Sequence, residues 1–148
     1  LSGTAIATHG LDPGVRVLGG EPAQAADAHA SLRRGALVTD IIPDTIADGL
    51  RAQLCARTYA ILRAHAVEVL LAGEDGIVAA MRLVWDRLKL VVEPSGAVAL
   101  AALIAGREGV AGLRIGVILS GGNVDLDRLP WQEPRFQRGL PPAAGGIA

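Results

Sequence analysis

Among the residues able to do chemistry, the turn Ser120-Gly121-Gly122-Asn123, closing the apolar run RIGVIL, is the most conspicuous. Backbone N–H groups beside glycines can cradle a phosphate, an arrangement that usually leads into a helix N-terminus. The residues that follow, NVDLDRLPW, carry no helical pattern, and the chain has neither a GxGxxG nor a Walker-type lysine, which weighs against that use. Alternatively, the glycines let the backbone approach a flat ligand, and the Ser120 hydroxyl, able to donate or accept, meets one of its heteroatoms. A plain strand-to-loop turn explains the same four residues equally well.

Other reactive side chains are sparser. Cys55 is the sole cysteine and has no histidine at catalytic spacing, so it reads as a small buried residue. His9, His29 and His65 fall in different elements with no i, i+4 partner, which argues against a metal triad. Lys89 is the sole lysine against thirteen arginines, and its place between a helix and a strand is that of a solvated residue. Met81 and Trp85 sit at helical spacing and are most simply core.

The elements that must position these groups alternate short apolar β runs with longer helical ones. Strands are expected at 15–19 (VRVLG), 66–73 (AVEVLLAG), 89–93 (KLVVE) and 113–119 (LRIGVIL). Helices are expected at 22–34, with a first-turn proline and terminal arginines, and over most of 46–65. Two more are expected, at 74–88 behind two acids and from Pro94 to the stop at Gly106. Residues 1–8 also look helical. The last strand is apolar on nearly every residue, as in a parallel sheet buried on both faces. The fold class this implies is α/β, three-layer, a mostly parallel sheet with helices on both faces. In such sheets ligands collect at the carboxyl ends of strands, where VLGGEP, VVEPSG and ILSGGN place their polar residues.

Composition sets outer limits. A chain of 148 residues with 51% apolar content suits one globular domain. Its formal charge of −1, without blocks of like charge, lacks the footprint of a nucleic-acid or anionic-membrane binder. One cysteine excludes an internal disulfide and suits a reducing cytoplasm. No run is long and apolar enough to suggest a membrane span. The opening LSGTAIATHG has no secretory-signal pattern and reads as the interior of a larger protein.

Four segments in register, GGEPAQAAD, TIADGL, VVEPSGAVALAAL and SGGNVDL, closely resemble the C-terminal half of serine/threonine dehydratases and serine racemases, pyridoxal-phosphate enzymes of fold type II. The resemblance implies that residues 1–131 are the C-terminal portion of that family's large domain, with 132–148 a poorly ordered tail. It implies that Ser120 hydrogen-bonds the pyridine nitrogen of pyridoxal 5'-phosphate and that Gly49 and Gly121 line the cofactor. Glu93 matches a family carboxylate near the active site, or is simply an acid ending a strand. Asn123 and Asp125 match positions near an effector nucleotide in racemase-like members, or are turn-formers. Glu21, Asp27 and the Ala25 carbonyl resemble a divalent-cation site suited to Mg2+, Ca2+ or Mn2+; two dipole-stabilised acids at a helix start would look the same.

The resemblance further implies a lyase that eliminates the β-hydroxyl of L-serine or L-threonine to give a 2-oxo acid and ammonia, acting as a homodimer. Serine racemase and 3-hydroxyaspartate ammonia-lyase are alternatives on the same frame. The Schiff-base lysine and the phosphate loop of the family fall in an N-terminal half, in the same or a separate polypeptide. This chain is therefore expected to be inactive alone. A binding module that kept the fold without catalysis is the alternative from another class.

Overall fold

A computed structural model describes residues 1–137. Two strands, β1 (Leu18–Pro22) and β2 (Glu68–Ala72), pair in parallel from Leu18 opposite Glu68 to Pro22 opposite Ala72. A parallel pair needs a crossover, here formed by α2 (Asp27–Arg34) and α3 (Ala56–Ala64). Helix α1 (Ser2–Leu11) precedes β1; α4 (Glu74–Leu88) and α5 (Pro94–Ala105) follow β2, and one turn, α6 (Pro134–Gln137), closes the described residues.

Side chains alternate across a strand, so Gly19 and Gly20 look to opposite faces of the sheet. A Cβ on Gly20 would stand 2.8 Å from the Ala99 Cα of α5, whereas one on Gly19 would stand 2.7 Å from the Leu1 side chain at the start of α1. Glycine at each position thus lets a helix sit against the strand, and helices cover both faces. On the α5 face, α4 contributes the stripe Ile77, Ala80, Met81 and Val84, and α5 contributes Ala97, Val98, Ala101 and Ala102. Alanine at those positions permits close helix packing. A smaller cluster on the other side joins Ala5, Leu62 and Val67. The α/β class expected from the sequence is the class observed.

Helices α4 and α5 and the start of α1 lie where local pattern places them, and Met81 is fully buried while the Trp85 indole donates to the Val92 carbonyl at 2.9 Å. Lys89 is exposed and closes α4 in the left-handed region (φ 58°). Other expectations are corrected. The first strand starts at Leu18, not 15, because its register is set by pairing with β2. The helix expected from 22 begins at Asp27 after a 3-10 turn. The helix expected over 46–65 shortens to α3. Upstream of it the backbone is held in turns, by Arg51 donating twice to the Thr45 carbonyl and by the Asp27 carboxylate accepting from Leu54 N–H at 2.6 Å.

Segments 89–93 and 113–119 are not strands, and the second is not buried on two faces. Among the described residues no further strand pairs with either, and Leu90, Leu113 and Ile118 are 53%, 56% and 64% exposed. Cys55 is exposed, not buried. It stands at the N-cap of α3 with its thiol 3.3 Å from Thr58 Oγ1, and hydrogen bonds from Thr58 pull its pKa below the usual thiol value. The tail expected at 132–148 lies mostly outside the described residues.

Candidate functional site

Pro94 at the first turn of α5 starts a helix of 12 residues without losing a needed N–H, and three of the four sequence segments meet at this terminus. Residue Gly96 touches the Ser120 backbone so closely that any Cβ would collide with the Ser120 carbonyl oxygen. Gly121 adopts φ +80°, and a Cβ there would collide with the Glu93 carboxylate. Glu93 bonds the turn twice: its N–H donates to the Gly121 carbonyl at 3.3 Å, and its Oε2 accepts the Asn123 N–H at 2.7 Å. Glu93 is the N-cap residue of α5, but its side chain makes no cap bond and instead positions the serine-glycine turn. Ser120 itself is exposed beside the positive end of the helix dipole.

Gly49 reaches the same terminus from the chain's middle. Its N–H lies 3.0 Å from Ser95 Oγ and 2.8 Å from Asp48 Oδ1, and the Ser95 hydroxyl faces that same Asp48 oxygen at 3.4 Å. Asp48 and Ser95 thus join the site although sequence reasoning singled out neither. Each lies inside a segment already conspicuous, TIADGL or VVEPSG, and the missing signal is a contact across 46 residues. Asn123 and Asp125 make turn contacts: Asn123 N–H binds Glu93, and Asp125 Oδ1 accepts from Asp127 N–H at 3.0 Å. A concavity of about 460 Å³ lies elsewhere, between Thr45, Arg51 and Glu74, and neither Ser120 nor Gly121 lines it. The α5 terminus is an open wall, not an enclosed pocket.

Glu21 and Asp27 are brought near each other at the end of β1. Glu21 accepts the N–H groups of Ala28 at 3.0 Å and His29 at 2.8 Å, tying its carboxylate to the start of α2. Burial raises its pKa above the ordinary carboxylate value; the two N–H bonds oppose that rise and the Asp27 charge adds to it. Among the described residues no group of three or more His, Cys, Asp or Glu side chains could hold a metal. The expected ion would need the Ala25 carbonyl and water to complete its shell. Both Glu21 oxygens and Asp27 Oδ2 already accept backbone N–H groups, so these acids also serve to hold the start of α2 and the turn at Leu54.

For pyridoxal phosphate the residues present fit. The glycines at 49, 96 and 121 let Ser95, the Ser120 backbone and Glu93 close-pack into one wall, and the exposed Ser120 hydroxyl can meet a ring nitrogen.

These features are those of one face of a fold type II site, and the chain belongs to the pyridoxal-phosphate dependent enzyme family, whose pattern matches residues 1–121. It is 45% identical over 131 residues to the beta-hydroxyaspartate dehydratase of Paracoccus denitrificans (strain Pd 1222), covering 88% of this chain and 42% of that protein. Among solved structures it is similar to maize serine racemase, with TM-score 0.81, 40% identity and coverage of 88% and 41% of the two chains. It is also similar to the processed form of threonine deaminase isoform 2 from Solanum lycopersicum, with TM-score 0.78, 32% identity and coverage of 85% and 36%. The chain thus spans about two fifths of the length of the curated relatives it matches.

Proposed function

We propose that this chain forms the C-terminal wall of the active site of a pyridoxal-phosphate dependent lyase that eliminates the β-hydroxyl group of a small hydroxy-amino acid, releasing a 2-oxo acid and ammonia. The observation that carries the reading is the convergence of Gly49, Glu93, Ser120 and Gly121 on the α5 N-terminus. When bound, the cofactor supplies an electron sink for negative charge developing at the substrate Cα. Ser120 offers the ring nitrogen a neutral hydroxyl, which leaves that sink weaker than an ionised carboxylate would and favours expulsion of a β-leaving group. Gly121 lets the Glu93 carboxylate pack against the turn, and Glu93 fixes the turn that carries Ser120.

A 3-hydroxyaspartate has the strongest support as substrate from the Paracoccus relative, with L-serine and L-threonine next. Racemisation of serine is the second reading, favoured by the likeness to maize serine racemase. In this reading the Schiff-base lysine comes from sequence that the relatives have and this chain lacks, because Lys89 is exposed at the end of α4. The segments 89–93 and 113–119 are where that remaining part of the fold would pack. A cation at Glu21, Asp27 and the Ala25 carbonyl is a subordinate part of the proposal, tested by whether Mg2+, Ca2+ or Mn2+ raises the chain's melting temperature and Asp27→Asn abolishes the rise.

The deciding assay follows 2-oxo acid and D-amino acid release from L-threo-3-hydroxyaspartate, L-serine and L-threonine by the complete enzyme containing this chain. Oxo acid from any of them supports the lyase. D-serine alone would replace it with the racemase, and no product from any would leave a non-catalytic module.

A further inference from the structure

Away from the α5 terminus, two histidines distant in sequence meet. His9 Nδ1 and His65 Nδ1 stand 3.0 Å apart, with ring centroids separated by 5.1 Å and ring planes tilted by 44°. His9 Nε2 lies 3.1 Å from the Val15 carbonyl oxygen. A carbonyl can only accept, so His9 Nε2 carries its proton, and the neutral ring presents the Nδ1 lone pair towards His65. An imidazole whose other N–H is held by a backbone carbonyl is the arrangement that orients and strengthens a metal-ligating histidine.

Distance and field both suit a cation here. Nitrogen ligands about 2.0–2.1 Å from one ion and in cis positions are about 3 Å from each other. His9 lies in the last turn of α1 and His65 is the C-cap of α3, so the negative ends of two helix dipoles converge on the pair. Asp12, the C-cap of α1, adds a carboxylate to the same end. No third His, Cys, Asp or Glu completes a ligand set among the described residues, so water would fill the other positions.

We infer that His9 and His65 form a two-histidine site for a borderline divalent metal such as Zn2+ or Ni2+, ligated through both Nδ1 atoms and clamping α1 to α3. Without metal, His65 Nδ1–H donates to His9 Nδ1. On binding, His65 gives up that proton, to its own Nε2 or to water, and each Nδ1 lone pair bonds the ion. Imidazole ligands distinguish this site from Glu21 and Asp27, whose oxygens suit harder cations.

The test is thermal unfolding of the chain with excess Zn2+ or Ni2+, beside His9→Gln, His65→Gln and a control, His29→Gln, whose ring is held instead by the Val69 carbonyl at 2.7 Å. Wild type and the control should gain several degrees in Tm, and neither single variant should gain any. Absence of a wild-type shift, or its survival in either variant, overturns the site. Electron paramagnetic resonance of the Cu2+-loaded wild type needs no variant to fold: coupling to two imidazole nitrogens is expected, and coupling to one or none rejects the clamp.

Discussion

At the scale of single residues, the proposed cofactor wall rests on a hydroxyl and on positions that tolerate no side chain. If Ser120 holds the ring nitrogen as proposed, Ser120→Ala in the complete enzyme would remove one hydrogen bond, worth about 0.5–1.5 kcal/mol. Cofactor affinity, read by fluorescence titration, should fall about 2- to 10-fold, with a parallel loss of activity; an unchanged titration rejects the role. Gly121→Ala forces a Cβ into the left-handed region and against Glu93, so the chain should lose about 1–3 kcal/mol in urea denaturation. Because the collision involves Glu93, the double variant Gly121→Ala/Glu93→Ala should be less destabilised than the sum of the singles. Strict additivity would show that backbone conformation alone sets the cost. Ser120 and Glu93 were visible in the sequence as polar residues after apolar runs. Their contact was not, because nothing local tells Glu93 that Asn123 is within reach.

At the scale of elements, the linkage between β1 and α2 makes a pH prediction. The folded-state pKa of Glu21 is raised, chiefly by burial, so the folded chain binds this proton more tightly than the unfolded chain. Its stabilising contribution is therefore present below the ordinary carboxylate range and is lost as pH rises through the folded value. Glu21→Gln should flatten that part of the stability-versus-pH curve, measured by denaturant midpoints from pH 4 to 7. An unchanged slope would remove Glu21 as its source. Helices α4 and α5 were legible because their information is local: acids behind Gly73, Pro94 at a first turn, Gly106 at an end. Strands at 89–93 and 113–119 were mispredicted because apolar content states that a segment wants a neighbour, not that one is present. The α3 boundary shifted for a related reason, since side chains of Arg51 and Asp27 hold the preceding residues out of the helix.

At the scale of the whole molecule, the α5 side of the sheet ends in apolar chain that faces solvent. Leu90, Val91, Leu113, Ile115 and Ile118 are all exposed, and clustered apolar exposure favours association. The chain alone should bind a hydrophobic dye and self-associate. Leu113→Lys/Ile118→Lys should reduce both while moving stability by no more than about 0.5 kcal/mol, as expected of substitutions on a solvent-facing surface. A large loss of stability would instead place these residues in a core. The α/β class, the helical cover and the three segments of the candidate site were readable from sequence because short-range pattern carries them. The meeting of His9 with His65 was not, because a separation of 56 residues leaves no periodic trace.

Lys89 has a practical consequence for chemical probing. Aldehydes condense with any accessible amine, and this exposed side chain is the one lysine amine of the sequence. Any reduced pyridoxyl adduct recovered at Lys89 would mark the far end of α4 as an off-target site. Blocking that amine, or substituting Lys89→Arg, would give a background against which a true Schiff-base lysine from elsewhere in the enzyme becomes the dominant signal.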